Sequence, residues 1–206
     1  MPLTRAPDLS GALYRGITMT RIISGFAGSL PLTVPRSGTR PTSDRVREAI
    51  FSSLESRDEI DGARVLDLYA GSGSLGLEAA SRGAASVTLV ENGKTAAEVC
   101  RKNAASVLKN APRAGRLAIE VAGSAVQAFL SGSAATWDVV FLDPPYELSN
   151  GELVENLDAL VPRLADGAVV LIERSSRDDE PAWPDGLELD KRKNYGDTTL
   201  WWLTRD

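Results

Sequence analysis

Trp137-Asp138-Val139-Val140-Phe141-Leu142-Asp143-Pro144-Pro145-Tyr146 is the stretch around which the chain is organised. Its apolar first part predicts a buried strand. The two prolines end that strand, because proline donates no backbone hydrogen bond and restricts the residue before it. The Asp143 carboxylate and the Pro144 carbonyl are then free to accept hydrogen bonds, with the Tyr146 ring beside them. Two fixed acceptors next to a flat ring suit a planar group carrying an NH2, such as a nucleobase amine or a side-chain amide. The plain alternative is a strand end with a proline-rich turn.

Repeated strand-then-helix units begin at Arg64. Near-continuous apolar strands that alternate with helices indicate a parallel sheet covered on both faces. The last two strands are joined by only four residues, so they form an antiparallel hairpin. The predicted fold class is therefore α/β, a Rossmann-like and mostly parallel sheet with one antiparallel strand in the C-terminal hairpin. Strands are predicted at 64–68, 86–90, 116–121, 137–142, 168–173, 187–193 and 198–204, and helices near 74–82, 93–109, 124–131 and 151–164.

The N-terminal part shows a different pattern. Residues 1–18 have no sustained periodicity and are predicted to be a poorly ordered extension, with Met19 as an alternative start of the functional chain. Residues 21–25 and 30–35 predict a small β-hairpin. Thr42 or Ser43 then caps a helix to about Ser56. We predict three regions: the extension 1–18, a hairpin and connector 19–41, whose charge is considered below, and a larger domain 42–206 that contains the strand-then-helix units.

Composition excludes several classes of protein. The 206 residues contain no histidine and one cysteine, Cys100, so histidine triads, an internal disulfide and a cysteine metal cluster are excluded. We expect no metal. No apolar run approaches the roughly 20 residues that cross a bilayer, so we expect no membrane partner.

The charge is unevenly distributed. Residues 1–47 hold seven arginines against two aspartates, a balance of +5, whereas residues 48–206 hold 16 basic and 26 acidic side chains, a balance of −10. Arginine suits bidentate contact with phosphates, so this asymmetry favours nucleic-acid binding by the N-terminal part, although a solvated surface remains an alternative. The candidate RNA-binding residues are Arg21, Arg36, Arg40, Thr42, Arg45 and Arg47.

Ligands of such a sheet bind at the carboxyl ends of its strands. The glycine-rich turn Gly71-x-Gly73-x-x-Gly76 follows the first of these strands, Glu91 follows the second, and Gly123-Ser124-Ala125 follows the third. A nicotinamide dinucleotide fits the glycine spacing, but an aspartate at position 67 and the D-P-P-Y motif fit a nucleoside with a cationic amino-acid tail better. We therefore predict S-adenosylmethionine as the cofactor. Its candidate contacts are Asp67, Tyr69, Ala70, Gly71, Ser72, Gly73, Glu91, Asn92, Ser124, Ala125 and Asp143.

Residues 20–206 resemble the RsmD family of bacterial 16S rRNA guanine-N2 methyltransferases. The resemblance rests on the segments 21–25 (RIISG), 40–48 (RPTSDRVRE), 67–76 (DLYAGSGSLG), 143–146 (DPPY) and 195–198 (YGDT). It implies a class I methyltransferase that methylates guanine 966 of 16S rRNA within the small ribosomal subunit, releasing S-adenosylhomocysteine. Ser124 departs from the family, whose members often carry Asp or Asn there.

The motif predicts the catalytic roles. Asp143 and the Pro144 carbonyl each accept an N–H of the target amine, and Tyr146 stacks on a base that has left its helix. The proton released goes to Asp143 or to water. We expect a cytoplasmic monomer. Other hypotheses are methylation of adenine N6 in DNA or of a glutamine amide, a non-catalytic RNA-binding assembly protein and, more distantly, a nicotinamide oxidoreductase.

Overall fold

The computed structural model describes residues 19–35, 42–112 and 117–206. The hairpin strands β1 and β2 precede helix α1, and a series of strands and helices follows. The strands are β1 (Met19–Arg21), β2 (Pro31–Thr33), β3 (Arg64–Leu68), β4 (Ser86–Val90), β5 (Ala118–Ala122), β6 (Trp137–Leu142), β7 (Leu164–Ser175), β8 (Leu187–Tyr195) and β9 (Thr198–Arg205). The helices are α1 (Asp44–Glu55), α2 (Ser74–Ser81), α3 (Lys94–Asn110), α4 (Val126–Gly132), α5 (Asn150–Leu160) and a 3-10 turn at Val161–Arg163.

The main sheet has seven strands in the order β5-β4-β3-β6-β7-β9-β8. Of these seven strands, β9 alone runs opposite to the other six, and it lies between β7 and β8. This confirms the predicted α/β fold with one reversed strand. From β3 the chain adds β4 and β5 on one side of the sheet and then returns to add β6 on the other side. Ligands of open α/β sheets bind at such a switch point.

The register of the parallel strands brings their ends level. Leu68 pairs with both Val90 and Leu142, and Leu142 pairs with Ile172. The residues that follow these strand positions therefore form a row along one edge of the sheet. That row contains Tyr69, Glu91, Asp143 and Glu173.

Apolar side chains cover both faces of the sheet. One core cluster packs α1, α2 and α3 against the sheet, and the other packs α4 and α5 against the opposite face. Trp202 and Trp201, neighbours on β9, point into different clusters, as the alternation of a strand requires. Among the described residues, no helix is long and apolar enough to cross a membrane.

The N-terminal hairpin is fastened to the catalytic sheet by a buried acid. Both Glu78 carboxylate oxygens accept backbone hydrogen bonds from the hairpin, from Ile23 at 2.7 Å and Ser24 at 3.0 Å. These N–H groups are therefore not in a strand ladder, which explains why β1 ends at Arg21 rather than continuing to residue 25. The hairpin and the catalytic domain share one core, with Ile22 and Leu32 in the same cluster as α1.

Further differences from the predicted boundaries lie around Pro162. The helix expected to run to residue 164 ends at Leu160, because Pro162 lacks the N–H of a regular turn and sits in the 3-10 segment. Strand β7 then begins at Leu164, four residues earlier than predicted. The start of the strand predicted at 116 lies outside the described residues, which resume at 117.

Candidate active site

A cavity of about 850 Å³ opens at the carboxyl edge of β3, β4, β5 and β6. The volume is within the range typical of small-molecule sites. The structure brings together every predicted cofactor residue except Asp67 and Gly73. Those that line the cavity are Tyr69, Ala70, Gly71, Ser72, Glu91, Asn92, Ser124, Ala125 and Asp143.

Asp67 and Gly73 are corrected by the structure, since neither lines the cavity. Asp67 is only 2% exposed, and its carboxylate accepts a hydrogen bond from the Gly76 N–H at 2.9 Å. Burial raises the pKa of Asp67 to about 7, with the Glu91 charge adding to the shift. A Cβ at Gly76 would lie 2.5 Å from a Leu89 methyl, so only glycine allows α2 to pack this closely. Asp67 therefore holds the loop against the helix instead of contacting a ligand directly.

Glu91 is fixed by two backbone donors. Its Oε2 accepts from the Gly71 N–H at 2.9 Å, and its Oε1 accepts from the Gly93 N–H at 2.6 Å. An ionised carboxylate has about four acceptor positions, so two remain for hydroxyl groups of a ligand. A cavity of this size with a carboxylate at the β4 end and a close-packed glycine turn at the β3 end fits a nucleoside cofactor.

Helix α5 supplies part of the cavity wall that the sequence did not reveal. Asn156 donates from Nδ2 to the Tyr69 hydroxyl at 2.8 Å, and Glu152 and Glu155 also line the cavity. Tyr69 has a positive φ of 63°, an uncommon backbone conformation for a non-glycine residue that here accompanies a part-buried tyrosine–asparagine contact. The sequence signal for α5 is the capping box of Ser149 and Glu152, which marks the helix but not its orientation.

Asp143 is part-buried in the wall of the cavity, directly after β6. Its Oδ2 lies 3.3 Å from the hydroxyl of Thr42, and that hydroxyl lies 2.9 Å from Oε2 of Glu173. Burial, together with the charges of Glu173 and Asp67, raises the pKa of Asp143 well above its usual range. Thr42 is only 6% exposed, which corrects its expected role as an RNA contact.

Tyr146 and Pro144 lie on the other side of Asp143. Tyr146 is 65% exposed, whereas Pro144 is buried. A second cavity, of about 10 Å³, lies between the D-P-P-Y segment and β7 and β9. Asp143 therefore lines both the 850 Å³ cavity and the 10 Å³ cavity, and the exposed ring of Tyr146 lies beside the smaller one. The residues around that space are Asp143, Pro144, Tyr146, Glu173, Arg174, Ser175 and Thr198.

The candidate RNA-binding arginines have different surroundings. Arg45 is exposed, and Arg21 is exposed with a 3.4 Å ion pair to Asp44. Arg47 is fully buried, and its guanidinium donates to Thr20 Oγ1, the Arg21 carbonyl and Asp44, so the structure corrects its assignment as an RNA contact. Arg36 and Arg40 lie outside the described residues.

Glu173 is the functional candidate that the sequence analysis missed. It directly follows the apolar run Ala168–Ile172, and because Leu142 pairs with Ile172, it lies level with Asp143 at the end of the β6–β7 pairing. An acid at the end of a buried strand was a usable signal. Its proximity to Asp143 depends on β7 lying next to β6, which the sequence does not state.

Comparison with known proteins gives close relatives for this arrangement. The family described as conserved hypothetical protein 95 matches residues 20–204. Ribosomal RNA small subunit methyltransferase D from Escherichia coli strain K12 is 37% identical over 186 residues, which cover 89% of this chain and 88% of that protein. The solved structure of yhhF from Escherichia coli is similar with a TM-score of 0.76 and 36% identity, over 92% of this chain and 99% of that one.

The fold is also shared with a more distant enzyme. Magnesium protoporphyrin IX methyltransferase from Synechocystis, solved with bound S-adenosylmethionine, gives a TM-score of 0.61 at 14% identity, over 79% of each chain. At this identity the similarity concerns the fold alone. It agrees with the predicted Rossmann-like, mostly parallel α/β fold.

Proposed function

Because the chain belongs to the family described as conserved hypothetical protein 95, the RsmD family of methyltransferases, we propose that it methylates the exocyclic N2 amine of a guanine in 16S rRNA. The chain is an enzyme, a methyltransferase that uses S-adenosylmethionine. The proposal concerns the acceptor and its context, namely guanine 966 within the small ribosomal subunit in the cytoplasm, with the enzyme acting as a monomer.

The observation that carries the proposal is the position of Asp143. Its carboxylate lines the large cavity, and the exposed Tyr146 ring follows three residues later. A flipped base stacked on Tyr146 would bring its edge toward Asp143. The relative from Escherichia coli is named for methylation of small-subunit ribosomal RNA, and guanine is a base of RNA with an exocyclic amine.

The cofactor side of the site is built by Glu91 and the glycine turn. S-adenosylmethionine supplies an electrophilic methyl group on a sulfonium when bound. Glu91 has acceptor positions left for ribose hydroxyls, and Gly71 and Ser72 present backbone to the same cavity. Ser124 and Ala125 lie in its wall where an adenine edge would rest. Ser124 has a short side chain whose hydroxyl bonds the Ala125 carbonyl at 3.1 Å, so we assign the contact here to backbone.

The acceptor side orients and activates a weak nucleophile. The lone pair of a guanine amine is delocalised into the ring, so it must be turned out of the plane before attack. Asp143 and the Pro144 carbonyl each accept one N–H, which aligns the nitrogen and stabilises the positive charge that develops on it. Asp143 then takes the proton, because burial and neighbouring charge raise its pKa and make it a stronger base than an ordinary aspartate.

RNA is drawn to the site by the exposed arginines of the N-terminal part. Arg21 and Arg45 lie at the surface, and Arg21 forms an ion pair with Asp44, at the start of the helix that follows Thr42. We assign Arg36 and Arg40 to the same role from their charge and position in the sequence. Because the body of the enzyme is acidic, this basic segment provides the attraction to phosphates.

Transfer of a labelled methyl group tests the proposal. Purified enzyme and S-adenosylmethionine are incubated with free 16S rRNA, assembled small subunits lacking the modification, duplex DNA, and a protein with an accessible glutamine. We expect label in 16S rRNA, free or assembled, and none with the Asp143→Ala variant. Label confined to DNA or protein would contradict the proposed acceptor and support the corresponding alternative.

A further inference from the structure

Thr42 connects two carboxyl groups that lie far apart in sequence. Its hydroxyl is 3.3 Å from Asp143 Oδ2 and 2.9 Å from Glu173 Oε2. Thr42 precedes α1, Asp143 follows β6, and Glu173 lies in β7 just beyond the part of that strand that pairs with β6. Three separate elements therefore converge to make one chain of hydrogen-bonding groups.

The hydroxyl of a threonine has one proton and two acceptor lone pairs. It donates to only one carboxylate at a time and accepts only from a protonated one. The Thr42 proton therefore alternates between two positions. Donated to Asp143 it stabilises the ionised Asp143 carboxylate, and donated to Glu173, the shorter contact, it leaves a lone pair directed to a protonated Asp143. A proton that arrives on Asp143 can then be donated to Thr42 while the original Thr42 proton moves to Glu173.

We propose that Thr42 and Glu173 form a proton relay behind Asp143 and remove the proton that methylation releases from the acceptor amine. The relay rests on the proposed function only in requiring an amine acceptor that loses a proton. Thr42 and Glu173 act through Asp143 and do not contact the base.

The steps balance as follows. The amine nitrogen forms a bond to the methyl carbon while the carbon–sulfur bond of the donor breaks with its electron pair on sulfur. The nitrogen then loses one N–H proton to Asp143. Asp143 passes a proton to Thr42 Oγ1, and the Thr42 hydroxyl proton passes to Glu173. Glu173 releases it to water, so one proton leaves for each methyl group transferred.

Glu173 has a route to solvent that Thr42 does not. Thr42 is buried, whereas Glu173 is partly exposed and lines the 10 Å³ cavity together with Asp143 and Thr198. That volume is about what one water molecule needs. The end of the relay therefore lies at a place where a proton can leave without crossing the cofactor cavity.

The charges around the relay favour proton uptake at Asp143. Burial raises the pKa values of both Asp143 and Glu173, and the charges of Glu173 and Asp67 raise that of Asp143 further. The Thr42 hydrogen bond acts in the opposite direction on both. Thr198 from β9 lies 3.4 Å from Glu173 Oε1 and also lowers its pKa. Arg174, adjacent on β7, donates instead to the Leu148 carbonyl and forms an ion pair with Asp178.

The first test follows the carboxyl groups without any substrate. Carbon-13 NMR of labelled aspartates gives the titration midpoint of Asp143 in the wild type, in Glu173→Gln and in Thr42→Val. Removing the Glu173 charge should move the midpoint to lower pH, and removing the Thr42 hydroxyl should move it to higher pH. Opposite shifts are a signature that general loosening of the structure would not give.

The second test measures single-turnover methyl transfer against pH, using the same variants with Thr42→Ser and Ser43→Ala. Thr42→Val should slow the transfer about tenfold to a hundredfold, and Thr42→Ser should restore most of it, because serine keeps the hydroxyl. Glu173→Gln should slow transfer and move the acid limb of the profile to lower pH. Ser43→Ala removes the neighbouring hydroxyl, which caps α1, and should lower only the melting temperature.

The outcomes separate this inference from the proposed function. Wild-type rates and profiles in both Thr42→Val and Glu173→Gln would overturn the relay, as would an unchanged Asp143 midpoint in both variants. If the wild type methylates no RNA, the proposed acceptor fails, while the NMR midpoints still decide whether the three groups are linked.

Discussion

Glu91 and Asp143 follow β4 and β6, the two strands that flank β3, and both carboxylates line the same cavity. Their partners differ. Glu91 is held by the backbone N–H groups of Gly71 and Gly93, whereas Asp143 is contacted by the hydroxyl of Thr42, which it shares with a second carboxyl, Glu173. We call these the cofactor side and the acceptor side.

The difference indicates two kinds of task. Backbone donors favour a charged, stationary carboxylate, which suits binding of hydroxyl groups. A carboxyl that is desolvated and close to a like charge binds a proton more readily, which suits chemistry in which a proton must be received. Carboxyl side chains at equivalent ends of β4 and β6 thus have different surroundings, from which we infer different tasks.

The largest expected effect separates the two sides. Asp143→Ala should reduce single-turnover methyl transfer by about a hundredfold to ten-thousandfold, because it removes an orienting acceptor and the proton acceptor together. Affinity for S-adenosylmethionine should stay within about twofold, measured by calorimetry. A large loss of cofactor affinity in Asp143→Ala would show that Asp143 also binds the cofactor, and would contradict its assignment to the acceptor side alone.

The converse substitution is Glu91→Ala. It should weaken S-adenosylmethionine binding by about 1–3 kcal/mol, because it removes the ribose acceptor and leaves the N–H groups of Gly71 and Gly93 without their partner. Glu91→Gln, which keeps one acceptor oxygen, is the matched control and should lose less. Unchanged calorimetric affinity in Glu91→Ala would show that the cofactor lies elsewhere in the cavity.

Tyr146 sharpens the description of the acceptor side. Tyr146→Ala should weaken productive RNA binding by about 1–2 kcal/mol, the lower part of the range for a base stacked on an aromatic ring. Tyr146→Phe should keep most of the activity, since stacking needs only the ring. Because the side chain is 65% exposed, the melting temperature should barely change in either variant. Equal losses in the two variants would instead assign a role to the hydroxyl.

Asp67 lies between the two sides and links stability to pH. Its pKa of about 7 in the folded protein exceeds the value near 3.9 of an unfolded aspartate, so the folded state binds the proton more tightly. The associated stability is present at low pH and is lost as pH rises through that window toward 7. Asp67→Asn removes this dependence. Its stability relative to wild type should improve by about 2–3 kcal/mol from pH 5 to pH 8 in urea unfolding, and a flat difference would contradict the assigned pKa.

The smallest effects are expected at the protein surface. The logarithm of the RNA binding constant falls linearly with the logarithm of the salt concentration. Arg21→Glu and Arg45→Glu should each make that slope shallower by about 0.9, the contribution of one phosphate contact. Lys109→Glu, near the end of α3 and about 20 Å along the helix from Lys94 at the cavity, is the control with the same charge change. Filter binding across a salt series gives the slopes. Equal slopes for all three variants would show that Arg21 and Arg45 do not contact RNA phosphates.

The sequence predicted the cofactor side better than the acceptor side, for a physical reason. Strands β3, β4 and β6 have the predicted bounds because each is an apolar run ended by turn-forming or charged residues. The residues that follow them were therefore placed correctly at the sheet edge. Thr42 reaches Asp143 across 101 residues of sequence and Glu173 across 131. Such contacts depend on strand order and on the path of the chain before α1, which local patterns do not encode.

Arg45 and Arg47 show a second limit. Because an α-helix turns by about 100° per residue, side chains two positions apart differ by about 200° around the helix axis. Arg45 and Arg47 therefore face nearly opposite directions. Arg47 belongs to the face that carries Val46 and Ile50 toward the core, and it is neutralised there by Asp44 and the hairpin backbone. Charge alone grouped both arginines as RNA contacts, whereas helical position distinguishes them.

The identity of the methylated atom tests the central claim most directly. RNA methylated by the wild type with a labelled methyl group is digested to nucleosides and analysed by mass spectrometry with chromatographic standards. The arrangement of Asp143, Pro144 and Tyr146 predicts a single labelled product, N2-methylguanosine, which disappears in Asp143→Ala. Label in N6-methyladenosine, in a ring-nitrogen methyl or in a ribose methyl would contradict the assignment of this site to the guanine N2 amine.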